Sequence, residues 1–447
     1  MQEGGDVMNK SKEQIPAAVP QAKQAGETHP RWAWVDPEIW TERMLTALEK
    51  GVKGGKWFSL IDKVFSYSNL CRGFQKVKQN GGSTGTDKQS ISEVESHLEF
   101  EMKKLSKELQ DGTYQPRPIR RHYIPKPGTK EMRPLGIPCV RDRAVQTVVR
   151  QVIEPIFEIG FAEQSYGFRP GRSCKDALRR VDTLLRQGYH WVVDIDLKSY
   201  FDTIPHAELM SLIGQQISDG RMLELINSFL KQGIMEGLKV WEPEGGVPQG
   251  AVVSPVLSNI YLNPLDHLMA KSGWEMVRYA DDGVILCKTQ EEAFQSLQIL
   301  QDWLNKAKLI LHPEKTRIVD ATKPGGFDFL GYHFERGWKK PRKKSLGKFK
   351  DNIRKETRRN NGNSLRSIIE NLNPIIRGWF GYFKHSLKWI FPELDGWIRR
   401  RLRSILRKRR KGKGISKGID HQRWPNRFFQ EMGLFSLKNA YIEACQS

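Results

Sequence analysis

The sequence predicts an α+β fold, and three kinds of stretch carry that expectation. Met276-Val277 and Val284-Ile285-Leu286 enclose Arg278-Tyr279-Ala280-Asp281-Asp282-Gly283, apolar strand formers on either side of a polar turn, which is the pattern of a tight β-hairpin. Val192-Val193-Asp194-Ile195-Asp196-Leu197 alternates, so a strand there sets Asp194 and Asp196 on the face opposite Val193, Ile195 and Leu197. Other segments have helical spacing. Val145, Val148, Val149, Val152, Ile153, Ile156 and Phe157 mark one face of a buried helix. Leu365, Ile368, Ile369 and Leu372 form a second stripe, after which Asn373-Pro374 reads as the cap and first turn of a further helix carrying Ile375, Ile376, Trp379, Phe380 and Phe383.

A chain of 447 residues has room for two to four domains and a sizeable core. Its 73 Lys and Arg against 51 Asp and Glu leave a formal charge of +22, spread along the chain. That balance favours a polyanion partner, because each neutralised phosphate releases a counterion. A membrane is not expected, since no apolar run approaches the roughly 18 to 20 residues that span a bilayer. The N-terminus has no apolar signal core, which places the chain inside the cell. Cys71, Cys139, Cys174, Cys287 and Cys445 form no CxxC pair, which argues against a disulfide framework and against a zinc site.

Taken in order, residues 1–30 read as a flexible tail, and ordered structure is expected from Trp32-Ala33-Trp34. Two or three short helices fit Pro37 to Phe74, and another fits Glu93 to Leu109, ended by Asp111-Gly112. The Gly-rich loop Asn80 to Asp87 lacks the closing Gly-Lys-Ser/Thr of a P-loop. Arg117, Arg120, Arg121, Lys126, Lys130 and Arg133 then alternate with Pro and Gly turns, short basic strands suited to a phosphate chain. Tyr166-Gly167-Phe168-Arg169-Pro170-Gly171-Arg172 offers two cations and two rings for stacking and phosphate contact. Gly246 to Pro255 is a loop into an apolar helix, with Gln249 in the turn. Arg399 to Lys413 holds a dense cationic run, including Arg407, Arg409 and Arg410, which suits structured RNA or target DNA.

Adjacent carboxylates at a hairpin tip can present oxygens to hard cations such as Mg²⁺. A third acid comes from the alternating strand, and spacing alone leaves Asp194 and Asp196 equivalent. Such a set could hold two ions that activate a primer 3′-hydroxyl and stabilise in-line displacement at an α-phosphate. Asp202 is a candidate cap for the helix beginning near Pro205.

Several of these stretches together resemble group II intron-encoded reverse transcriptases. The successive blocks are Tyr166 to Pro170, Asp196-Leu197-Lys198-Ser199-Tyr200-Phe201-Asp202, Val247-Pro248-Gln249-Gly250 and Tyr279-Ala280-Asp281-Asp282. Leu311 to Thr316 and Gly326 to Tyr332 resemble the last motifs of the palm, and Gly378 to Phe383 resembles the maturase thumb, domain X. The likeness runs from roughly residue 60 to the C-terminus. It implies a right-hand polymerase: an N-terminal extension of the fingers at 31–115, fingers and palm at 116–336, an α-helical thumb at 337–410 and a short basic DNA-binding segment at 411–447.

The resemblance also selects Asp196, with Asp281 and Asp282, as ligands of two Mg²⁺ ions. It sets Lys126 and Arg133 near the incoming triphosphate, Gln249 beside the nucleotide and Phe201 against a ribose 2′-hydroxyl. Ser199 stands where the family often has Gly, and Val247 where it often has Thr. The implied function is RNA-directed DNA synthesis from dNTPs, with binding of group II intron RNA for splicing and of target DNA for retrohoming. The expected location is the cytoplasm, as a nucleoid-associated ribonucleoprotein, or an organelle. Absence of an HNH-type cluster implies no endonuclease, so priming would come from a nascent or nicked strand. A reverse transcriptase serving defence or diversity generation would share the palm but need no intron-binding thumb, so the Gly378 to Phe383 block counts against it, and a pure splicing cofactor would be expected to have lost acids.

Overall fold

The computed structural model describes residues 30–52, 54–125 and 132–446. The tail expected at residues 1–30 lies outside them but for its last residue, and so does Lys126. Among the described residues the strands are β1 (Ile119–Pro125), β2 (Met132–Ile137), β3 (Trp191–Asp196), β4 (Ile234–Glu236), β5 (Lys239–Trp241), β6 (Glu275–Tyr279), β7 (Asp282–Cys287), β8 (Arg317–Asp320), β9 (Phe327–Phe329), β10 (Tyr332–Glu335) and β11 (Trp338–Pro341). They form three sheets, ordered β2-β1-β4-β5 in the fingers, β6-β7-β3-β8 in the palm and β11-β10-β9 at the thumb side.

The palm sheet is antiparallel and covered on both faces. Alternation sends Val193, Ile195, Met276 and Ile285 into one core, under the helices Val140–Glu158, Ser254–Lys271 and Gln290–Lys306. Val192, Val277, Val284 and Leu286 enter the other, under the helix Cys174–Arg186 and against Phe327 and Phe334. Each such side chain contributes about 1.5–3 kcal/mol by leaving water. Asp194 and Asp196 share the second face, both half-buried. The α+β class and right-hand architecture are thus those expected.

Helices Glu42–Lys50, Ile61–Phe65 and Tyr67–Asn80 fill the Pro37 to Phe74 stretch. The next helical stretch is split at His97 into Ile91–Ser96 and Leu98–Asp111, and Gly112 closes it in the left-handed region at φ 72°. Trp32, Leu70, Phe74 and Leu105 share one core with the Val140–Glu158 helix and the palm, so packing does not divide at residue 115.

The thumb has its own core, built from the helices Lys343–Glu356, Leu365–Phe383 and Ile390–Arg409. Two expectations are corrected here. Pro374 lies inside one unbroken helix and does not start a second. Asn373 has another use: its Nδ2 donates to Gly433 O at 2.9 Å and its Oδ1 accepts from Phe435 N at 2.9 Å. The second correction concerns the segment expected at 411–447, whose described residues, 411–446, are not a separate basic segment. Trp424, Phe429 and Leu437 are buried in the thumb core, and the last helix, Leu437–Gln446, is capped by buried Asp395. That carboxylate accepts from Leu437 N at 3.0 Å, Lys438 N at 3.1 Å and Ser436 Oγ at 2.8 Å. Asp395→Ala should therefore cost about 2 kcal/mol, the scale of hydrogen bonds to a charged group. Urea unfolding reads this loss, and a change under about 0.5 kcal/mol would mean the last helix docks by its apolar face alone.

Candidate active site

The hairpin tip is made from the backbone outward. Tyr279 pairs with Asp282, so the loop is only Ala280-Asp281, and Ala280 takes φ 58°. A non-Gly residue there is strained and must be held. Arg278 holds it, at 3 % exposure. Its Nη1 donates to Ala280 O at 2.8 Å and Asn259 Oδ1 at 3.0 Å, its Nη2 to Ser165 Oγ at 2.7 Å and its Nε to fully buried Asp266 at 2.7 Å. Behind the loop sits Gly167, where an added Cβ would come within 2.2 Å of Ala280 N. The Tyr166 to Pro170 block therefore buttresses the tip. Sequence reading gave no role to Arg278 or Asp266; the only signal was a charged residue at an inward strand position.

In register, Asp196 of β3 lies directly across from Asp282 of β7, while Asp194 faces Val284 and Arg317. This separates the two acids that periodicity left equivalent. Asp194 is occupied by Arg317 Nε at 3.4 Å, and burial pushes its carboxyl up to about 6 against that partner. Burial also pushes Asp282 up to about 6, helped by Asp281 and Asp196 and opposed by Arg342. Asp281 is raised by burial, its own backbone opposing, with Arg133 lowering and Asp196 raising it. Neighbouring acids that raise one another fit a divalent cation of the hard, oxygen-seeking kind. Among the described residues no three acidic, His or Cys side chains already close on one point. Lys315, from the Leu311 to Thr316 block, holds Asp196 Oδ2 at 3.3 Å.

Residues expected on the substrate side meet across the fingers and palm. Arg133 Nε on β2 donates to Gln249 Oε1 at 2.9 Å. The same loop is fixed by Gly136 N donating to Gln249 O at 2.6 Å and Val252 N to Gln146 Oε1 at 2.9 Å. Phe201 is buried in the short helix Tyr200–Thr203, edge-on to Tyr200 at 5.4 Å, and its carbonyl accepts from Val247 N at 2.6 Å. Ser199 takes φ 49°, the left-handed region, which accounts for the Gly often found there in the family. Asp202 does not cap a helix. It lies within that short helix, raised by burial and opposed by Arg121 and Arg133, while Pro205 occupies the next N-cap.

All five arginines expected to bind nucleic acid meet partners within the chain, and Arg169 and Arg407 are the most enclosed. Arg169 is 6 % exposed, paired with Glu158 and donating to the carbonyls of Ala162 and Ser165, so its guanidinium braces the loop. Arg407 donates to Lys413 O at 2.9 Å and Asp420 at 3.0 Å, tying down the turn after its helix. Arg172 is paired with Glu163 over the ring of Tyr166, Arg409 donates to Asn363 O, and Arg410 lies over Trp424 at 5.8 Å. The Gly-rich loop points carbonyls of Ser83 and Thr84 at Arg143 and Arg120, the reverse of a phosphate cradle.

Residues 124–334 match the reverse transcriptase (RNA-dependent DNA polymerase) family model, and residues 346–424 match the group II intron, maturase-specific domain. The second match runs past residue 410, as the shared thumb core does. Group II intron-encoded protein LtrA of Lactococcus lactis subsp. cremoris is 41 % identical over 347 residues, 61 % of this chain and 57 % of LtrA. Protein YkfC of Escherichia coli (strain K12) is 32 % identical over 348 residues, 68 % of this chain and 86 % of YkfC. The chain thus spans little more than half the length of LtrA and most of YkfC. On these matches the chain belongs to the family of group II intron-encoded reverse transcriptases and maturases.

Proposed function

We propose that the chain is the RNA-directed DNA polymerase and maturase of a group II intron, binding the intron RNA for splicing and copying it into DNA at a target site. The observation that carries this reading is Asp196 opposite Asp282 on neighbouring strands, with Asp281 in the braced loop beside them. Reverse transcriptases are metal-dependent as a family. Two Mg²⁺ ions held by Asp196, Asp281 and Asp282 would activate the primer hydroxyl and neutralise charge at the dNTP α-phosphate. Lys315 must release Asp196 for this. Arg133 and Gln249 bind the nucleotide, and the family resemblance assigns Lys126 to its triphosphate. Arg172, Arg409 and Arg410 belong to the nucleic-acid surface. The maturase-domain match weighs against a reverse transcriptase unconnected with introns, and the three acids against a splicing cofactor alone. No helix among the described residues is long and apolar enough to cross a membrane, and the working location we propose is the cytoplasm, with its RNA.

Primer extension on an RNA template with dNTPs, together with a splicing assay on the host intron, tests the reading. EDTA should abolish extension and excess MgCl₂ restore it, with RNA affinity in EDTA reduced far less. Extension that continues in EDTA would remove the metal assignment. Phe201→Val should raise ribonucleotide use relative to deoxyribonucleotide by about tenfold, a difference of ~1.4 kcal/mol at the sugar. An unchanged ratio would show that this ring is not the gate.

A further inference from the structure

A groove of about 960 Å³ lies between palm and thumb, away from the carboxylates. That is the upper end of the roughly 300–1,000 Å³ that ligand sites occupy. One wall is the helix Cys174–Arg186 with His190, which leads into β3; the other is the turn at 384–388 and the last helix. Strand β3 has six residues, so its His190 end stands about 20 Å from Asp196. Whatever fills the groove is not the reacting nucleotide.

The charge around this hollow is lopsided. Among the described residues, five Lys and Arg side chains line it against two acids, Asp182 and Glu335. Asp182 is matched by Lys339, Glu335 by Arg336 at 4.0 Å, and Arg179 has its own partner in Asp176. Arg186, Lys384 and Lys388 are left with no acidic partner among the described residues. Gathering like charges around one cavity costs folding energy, which an anionic ligand would recover. Trp338 adds a ring to the wall. His385 is held below the usual histidine range by burial, then by Lys339 and Lys384, so at pH 7 its neutral ring offers one donor and one acceptor. Cations for phosphates, a ring face for an unstacked base and a donor-acceptor pair for a 2′-hydroxyl together match RNA.

We infer that this groove is a docking site for structured RNA, whose backbone lies on Arg186, Lys384 and Lys388 with an unstacked base against Trp338. For the identity of that RNA, the host intron, the inference rests on the function proposed above. RNA seated here touches palm and thumb at once, because Leu387 N donates to Lys339 O at 3.1 Å and Lys339 pairs with Asp182 on the palm helix.

The test compares wild type with the triple variant Arg186→Ala, Lys384→Ala, Lys388→Ala, all exposed or half-buried positions. The probes are a transcript of the intron harbouring the reading frame, a size-matched unrelated transcript, duplex DNA and poly(rA)·oligo(dT). The variant should bind intron RNA about tenfold more weakly near physiological salt, with a log-log salt slope shallower by about 2. Extension on poly(rA)·oligo(dT) should stay within about twofold, and the charge-keeping variant Arg186→Lys, Lys384→Arg, Lys388→Arg should retain RNA affinity. Unchanged affinity and slope would overturn the inference, as would an equal loss for duplex DNA. Equal loss for both transcripts, with no preference for the intron in wild type, would keep the groove as an RNA site and overturn the intron reading.

Discussion

Asp281→Asn and Asp196→Asn should each lower primer extension by about a thousandfold or more, roughly 4 kcal/mol of transition-state stabilisation, while RNA affinity barely changes. The geometry explains the separation. The carboxylates sit at the end of β3 and the tip of the β6–β7 hairpin, whereas the unpaired cations lie on other surfaces. Misfolding would not account for the loss, because Asp282 is already pushed up to about 6 by burial and by Asp281. Its folded value exceeds its unfolded one, so the metal-free protein loses stability as pH rises from about 4 to about 6. Removing the Asp281 charge relieves part of that loss, and Asp281→Asn should be at least as stable as wild type at pH 7. A variant that is inactive and clearly less stable would point to structural damage; one extending within about tenfold of wild type would remove the metal-site assignment.

Arg278→Met should be the most destabilising single substitution proposed for this chain, by about 3–5 kcal/mol, because it strands the carboxylate of Asp266 in the core without a partner. Arg278→Met with Asp266→Leu should recover much of that stability, since an apolar pair of similar volume often replaces a buried ion pair at little cost. Extension should not recover with it. The Ala280 carbonyl and Ser165 would still lack their donor, and the strained turn would be free to relax. Chemical denaturation and primer extension measured on the same three proteins check both statements. Activity that returns with stability would show that the turn keeps its shape without Arg278.

The parts of the site that lie within one strand or one turn were legible in the sequence. Alternation at Val192 to Leu197 and the apolar flanks of Asp281-Asp282 are local patterns that the palm sheet preserves. What was not legible depends on partners far along the chain. Asp194 and Asp196 separate only through register with β7 and β8. Arg169 looked like a free cation until the fold brought Glu158 and two carbonyls to it. Arg407 misled in the same way, through Asp420 and Lys413. Asn373-Pro374 is a common way to begin a helix, but the Asn side chain is drawn to Gly433 and Phe435, and the Leu365–Phe383 stripe packs as one face.

That unbroken helix has a mechanical consequence. Its 19 residues make a rod about 28 Å long. At its C-terminal end Tyr382 Oη donates to Leu330 O at 2.7 Å and Tyr332 Oη donates to Tyr382 O at 2.7 Å, pinning it to the β9–β10 turn and to β10. Strand β9 in turn touches β3 and β7, which carry Asp196 and Asp282. Pinned there, the helix is a lever: a displacement of about 2.5 Å at Leu365 is a tilt of only about 5° at the Tyr382 end. Nucleic acid pulling on the far side of the thumb would arrive at the catalytic strands as a small torque, multiplied in force by the length of the arm.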